Sequence, residues 1–165
     1  MKVSNPSGNI SMERYAELVA DARKRVGEIM PWDLSRSLAA GKKLLLIDVR
    51  EPAEFEKLKI PGSINVPRGV LEQSCEWDFD ETVPELANAR SQEIVIICRS
   101  GNRSVLAADM MLRLGFSNVV SLNTGVKGWN DYEQPLTDAS GVFINVDVAE
   151  SILAPHLRPE QRTPT

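Results

Sequence analysis

The stretch Ile94-Val95-Ile96-Ile97-Cys98-Arg99-Ser100-Gly101-Asn102-Arg103-Ser104 decides how this chain is read. Its four β-branched residues make a strand apolar on both faces, as expected of a parallel strand covered by helices on each side. A short glycine-containing loop follows and runs directly into a helix beginning near Arg103. A cysteine at the carboxyl end of such a strand stands where open α/β sheets place their ligands. Backbone N–H groups of the turn can converge on an anion, and the start of the helix adds positive potential. Arg99 and Arg103 add two full charges. These surroundings favour a thiolate. A free cysteine that merely ends a strand behaves as a small buried hydrophobe, a role that calls for neither two arginines nor a tight glycine turn.

Reading outward, Leu44-Leu45-Leu46-Ile47-Asp48-Val49 is a second covered strand, followed by a short helix over residues 51–58. Ser63-Ile64-Asn65-Val66 is a third strand, set off by the Pro61-Gly62 turn, and Val119-Val120-Ser121-Leu122 is a fourth. Residues 103–114 form the helix between the two later strands, ended by Gly115. Upstream, Tyr15, Leu18, Val19, Ala22 and Val26 follow helical spacing behind an N-cap at Ser11. A further helix holds Leu34 and Leu38 and stops at Gly41. Strands alternating with helices predict an α/β domain with a mainly parallel sheet. The spacing also predicts a helix over residues 84–90 and a strand-like run over residues 142–146. Residues 1–10 read as loose, and the end with Pro155, Pro159 and Pro164 as a mobile tail.

The 165 residues suit one domain with modest extensions at its ends. The apolar share of 42% and charged share of 25% are those of an ordinary globular protein. No apolar run approaches the roughly 20 residues that span a bilayer, and no signal-peptide stretch follows Met1-Lys2. Two cysteines make no disulfide framework, so a reducing cytoplasm is the expected location. A net charge of −4 disfavours non-specific nucleic-acid binding. Metal-ligand spacings, nucleotide-binding glycine loops and nucleic-acid motifs are missing, so neither metal nor cofactor is expected. The only histidine, His156, falls in the tail. Activation of Cys98 is therefore left to the loop amides and arginines. Cys75 reads as incidental, residues 76–81 as a solvated acidic loop, Lys127 as a surface lysine and Trp129 as core.

The loop Cys98-Arg99-Ser100-Gly101-Asn102-Arg103-Ser104 resembles the active-site loop of the rhodanese family, with Cys98 matching the sulfur-accepting cysteine. Three more segments are similar in order and spacing: Leu46-Ile47-Asp48-Val49-Arg50-Glu51-Pro52-Ala53-Glu54-Phe55, Ile60-Pro61-Gly62-Ser63-Ile64-Asn65-Val66-Pro67 and Leu122-Asn123-Thr124-Gly125-Val126-Lys127-Gly128-Trp129. Four matches in register make the signal specific. They suggest a domain over residues 29–136, with extensions over 1–28 (one helix) and 137–165. Leu58-Lys59 departs from the Gly-His common before Ile-Pro-Gly. Thr124 stands where a glycine is common, its side chain expected at the pocket mouth.

The resemblance implies a central, mainly parallel five-stranded sheet flanked by helices on both faces. It also implies transfer of sulfur from an anionic donor such as thiosulfate to a thiol, protein-cysteine or cyanide acceptor through a Cys98 persulfide. Arg99, Ser100, Gly101, Asn102, Arg103 and Ser104 would bind substrate and persulfide, and Asp48 and Arg50 would support the loop by charge-assisted hydrogen bonds. Phosphatases and arsenate reductases resembling this family have five residues between the cysteine and the last arginine; here there are four. The shorter cradle suits a single sulfur atom. Non-catalytic modules of the family usually lose the cysteine, which this chain keeps.

Overall fold

The computed structural model describes residues 14–164. The Ser11 cap and the loose residues 1–10 lie outside them. The chain alternates helix and strand from its first described turn: Tyr15–Arg23 (α1), Gly27–Ile29 (β1), Pro31–Ala39 (α2), Leu45–Asp48 (β2), Pro52–Lys57 (α3) and Ile64–Asn65 (β3). Two short helices, Leu71–Ser74 (α4) and Pro84–Ala87 (α5), bracket the acidic loop. Glu93–Ile97 (β4), Asn102–Arg113 (α6), Asn118–Leu122 (β5), Gly125–Asp131 (α7) and Val146–Leu153 (α8) complete it. The sheet has five strands in the order β1-β5-β4-β2-β3, all pairs parallel. That is the expected architecture, with β4 at the centre.

Alternation along the strands divides the apolar residues between two cores. Ile94, Ile96 and Cys98 face one side of the sheet, with Val19 and Ala22 of α1 and Val105, Ala108 and Met111 of α6. Val95 and Ile97 face the other, with Leu34 of α2, Val126 and Trp129 of α7, and Ala149 and Leu153 of α8. The sequence thus specifies a three-layer domain. Its central strand ends with a cysteine side chain aimed toward α6.

Three features differ from the sequence reading. β1 was not foreseen: it is three residues long, contains Glu28, and extends the sheet by pairing Gly27 with Val120 and Ile29 with Leu122. The helix expected over residues 84–90 ends at Ala87; Arg90 instead donates to the carbonyls of Cys75 and Leu114 and lies over the Phe116 ring. Residues 142–146 make one bridge, Phe143 to Thr137, and no strand. The chain goes helical at Val146 because Asn145 accepts the Asp147 N–H at 2.8 Å, an N-cap, and Asp147 puts a negative charge in the first turn. Ala149, Ile152 and Leu153 then share the stripe that enters the second core. Beyond α8, Pro159–Gln161 forms one 3-10 turn.

Because Leu153 is 2% exposed and belongs to that core, Leu153→Ala is expected to destabilise the whole domain by about 2–4 kcal/mol, measured as a lowered urea midpoint with an unchanged slope. A loss below about 0.5 kcal/mol, the level of a surface substitution, would show that α8 is not integral to the core.

Candidate active site

Cys98, Arg99, Ser100 and Gly101 connect β4 to α6. Gly101 has φ +95°, the left-handed region that favours glycine, and its N–H donates to Cys98 Sγ over 3.0 Å. Cys98 is 1% exposed. Its sulfur also lies 3.3 Å from Ser104 Oγ, which in turn accepts from Ser121 Oγ at 2.7 Å. Both serines are fully buried. A neutral thiol donates to Ser104; a thiolate can only accept, so the freely rotating Ser104 hydroxyl must then turn and donate to sulfur. Ser121 continues to donate to Ser104 in both states. Ser121 escaped the sequence reading, where it appeared as one more strand residue. The available signal was a lone hydroxyl in the apolar run 119–122.

Neighbouring elements fix the loop. The amides of Val126 and Lys127, in the first turn of α7, donate to the carbonyls of Cys98 and Arg99 at 2.9 and 3.0 Å. Gly125 permits this approach. Its φ is +59°, and a Cβ there would meet the Arg99 backbone at 2.6 Å and the Cys98 carbonyl closer still. Asp48 ends β2 and receives Arg50 Nε and Nη2, with Nη2 also donating to the Leu58 carbonyl at 2.8 Å, so among the described residues the two side chains bond to the segment between β2 and α3 and not to the cysteine loop. This ion pair is buried, Arg50 being 1% exposed, so Arg50 does not pair with Glu51 or Glu54 on the surface. Glu54 grips Arg103 instead, each carboxylate oxygen accepting one guanidinium nitrogen at 2.8 Å. Arg103, read from sequence as a donor-binding residue, therefore ties α6 to α3. Asn102 is bound to Arg23 of α1, and Ser100 is exposed.

A family model for the rhodanese-like domain matches residues 31–132. The chain belongs to the rhodanese-like family. The rhodanese-like domain-containing protein 3 of Mus musculus, whose name also reads thiosulfate sulfurtransferase, is 36% identical over 102 residues, 59% of this chain and 65% of its own length. The chain thus spans slightly less than two thirds of that relative. A protein named sulfurtransferase from Allochromatium vinosum is 29% identical over 116 residues, 70% of this chain and 99% of its own. The crystal structure of a rhodanese-related protein from Thermoplasma volcanium superposes with a TM-score of 0.55 at 28% identity, covering 67% of this chain and 97% of that one.

In this rhodanese-like domain a cavity of about 260 Å³ opens beside the cysteine loop, lined by Arg50, Glu54, Lys57 and Arg99 together with Ile152, Leu153, Ala154 and His156. The tail thus folds back along the site. His156 Nε2 lies 3.1 Å from the Ser151 carbonyl. Thr124 turns away, its hydroxyl on the Asn123 carbonyl and its side chain over Gly128. Lys127 pairs with Glu150 and Asp131, and Trp129 is core, as read. Burial pushes the Cys75 thiol up to about 11, which suits an inert core cysteine.

Gly125→Ala is expected to cost about 3 kcal/mol, since φ and the Cβ contact are both unfavourable, and to disorder the loop; urea unfolding and the alkylation rate of Cys98 would report it. The Arg103 hydrogen bond, with a smaller Coulombic contribution, holds the Glu54 carboxyl below its ordinary value. A carboxyl lowered on folding stabilises above its unfolded value and loses that contribution as pH falls through the folded one. The Glu54–Arg103 clamp should therefore be pH-independent above pH ~5 and release only in acid, below the usual ~4.3. Chemical shifts of the Arg103 guanidinium followed through an acid titration would check this, and release at neutral pH would contradict it.

Proposed function

We propose that this chain is a sulfurtransferase that carries sulfane sulfur on Cys98 as a persulfide. The observation that carries the reading is the 3.0 Å contact from the Gly101 N–H to Cys98 Sγ within a four-residue loop. A backbone donor fixed on the sulfur needs no reorganisation when charge develops there. The relatives named sulfurtransferase support the same chemistry.

In the first half-reaction the Cys98 thiolate attacks the outer sulfur of an anionic donor such as thiosulfate. The new S–S bond forms as the donor's own S–S bond breaks, and sulfite leaves with the bonding electrons. Arg99 is half-buried and has no ion-pair partner among the described residues, so it is the cation that receives the donor's oxygens. Arg103, engaged by Glu54, positions the loop. The resulting Cys98–S–S⁻ lies among the amides of residues 99–103, with the Ser104 hydroxyl on Sγ; Asp48 and Arg50 hold the adjoining segment between β2 and α3. In the second half-reaction an acceptor thiolate, a protein cysteine or cyanide takes the outer sulfur and returns Cys98 to its resting form. No protein base is assigned to Cys98. Among the described residues no helix is long and apolar enough to cross a membrane, and the two unpaired cysteines fit a reducing cytoplasm.

Mixing reduced protein with thiosulfate should raise its intact mass by one sulfur and release one sulfite per chain, and Cys98→Ser should do neither. No mass gain at a Cys98 that still alkylates would overturn thiosulfate donation and favour a binding module.

A further inference from the structure

Behind the cysteine, two hydroxyls form a chain of which the sulfur chemistry uses only the first link. Ser104 Oγ lies 3.3 Å from Cys98 Sγ, and Ser121 Oγ lies 2.7 Å from Ser104 Oγ. Ser104 stands in the first turn of α6 and Ser121 near the carboxyl end of β5. Both are 0% exposed, and among the described residues neither hydroxyl has any other hydrogen-bond partner. The Gly101 N–H donates to the same sulfur at 3.0 Å. Solvent does not reach the pair, so each of its protons must be placed within the chain.

A hydroxyl has one proton to give and lone pairs to receive. With Cys98 as a thiolate, Ser121 donates to Ser104 and Ser104 donates to sulfur. Every proton then has an acceptor, and the Ser104 oxygen both gives and receives. With Cys98 as a thiol, three protons share two contacts. One is orphaned whichever way the hydroxyls turn, and an unpaired group in a buried site is costly. The persulfide behaves as the thiolate does, since its Sγ carries no proton. The two forms through which a sulfur carrier cycles are therefore the two that complete the chain. Without the Ser121 hydroxyl the difference disappears. The thiolate then leaves the Ser104 lone pairs empty and the thiol leaves a proton orphaned, so each state lacks one partner.

We propose that Ser121 is a positioning residue for sulfur transfer: its hydroxyl, acting through Ser104, directs the Ser104 proton at the Cys98 sulfur and makes the deprotonated and persulfide forms the fully bonded ones. The proposal rests on the persulfide reading for its purpose, and on the hydroxyl pair alone for the preference. Charged groups surround the loop on every side. Arg99 is on it, Arg103 of α6 is locked to Glu54 of α3, and Arg50 is locked to Asp48 at the end of β2. Arg23 of α1 is bonded to Asn102 and to Glu28 of β1, and Tyr15 of α1 acts on Arg103. Lys127 of α7 pairs with Glu150 and Asp131, and His156 lines the cavity beside the loop. Cys75 shares the core but keeps its proton, burial pushing its thiol up to about 11. None of these side chains hydrogen-bonds to Ser104 or Ser121, so removing the Ser121 hydroxyl leaves the local charges in place.

The pH dependence of Cys98 alkylation by iodoacetamide, read by peptide mass on the reduced full chain, reports the thiolate. Ser121→Ala should raise the midpoint by about 0.5–1 pH unit, roughly a three- to tenfold loss of thiolate below it. Ser121→Thr, which keeps the hydroxyl, should restore the wild-type midpoint. Ser104→Ala should raise the midpoint too, and adding Ser121→Ala to it should shift nothing further, because Ser121 reaches the sulfur only through Ser104. That cycle decides the matter even where the extra methyl of threonine is not accommodated; a thermal melt verifies that each variant is folded. The sulfite burst with thiosulfate should slow in Ser121→Ala at low pH and recover above the raised midpoint. An unchanged midpoint in Ser121→Ala, shifts that add in the double variant, or a folded Ser121→Thr that behaves like the alanine variant overturns the proposal. A raised midpoint in a protein whose wild type gains no sulfur from thiosulfate overturns the donor reading and leaves the hydroxyl chain standing.

Discussion

The carbonyls of Cys98 and Arg99 accept hydrogen bonds from the first turn of α7, and the geometry of the whole carboxyl edge follows from keeping that contact. A loop leaving a central parallel strand has backbone groups that no neighbouring strand satisfies, and buried groups of this kind must find partners. Here α7 supplies them on one side, at a distance that only a glycine at position 125 allows. Once those carbonyls are held outward, the Gly101 amide is free to face the sulfur. Polarity at the site is thus divided: carbonyls turned to α7, a donor turned to Cys98.

Charge is handled the same way, by assigning each group a partner. Asp48 and Arg50 form a buried pair, and such pairs persist only when their remaining hydrogen-bonding capacity is met; the Leu58 carbonyl and the backbone N–H of Arg50 itself meet much of it. Glu54 and Arg103 form a second pair nearer the surface. Of the two loop arginines, one is consequently structural and the other available, a distinction of role that their equal charge conceals.

Much of this was legible in the sequence. β2, β4 and β5 are apolar on both faces and flanked by turn residues, so their identity and parallel pairing followed from composition. The cysteine loop was legible because a glycine and two arginines around a strand-ending thiol are unnecessary for packing. What escaped depends on tertiary partners. β1 is a strand only because β5 offers an edge to Gly27, Glu28 and Ile29. The apolar run 142–146 fits either period, and an asparagine cap settled it as the lead into a helix. Glu54 gave no hint that its partner would be forty-nine positions away in place of neighbouring Arg50, and His156 gave none that the tail would return to the loop.

The return of the tail has an evolutionary consequence. Ile152, Leu153, Ala154 and His156 line the cavity yet lie downstream of the segment that defines the fold family. Substitutions there can alter the shape and polarity of the mouth while the strand, loop and clamp that hold the sulfur remain untouched. Selection can therefore reshape the cavity through Ile152, Ala154 and His156, whereas Ala149 and Leu153 of the same helix stay bound to the core.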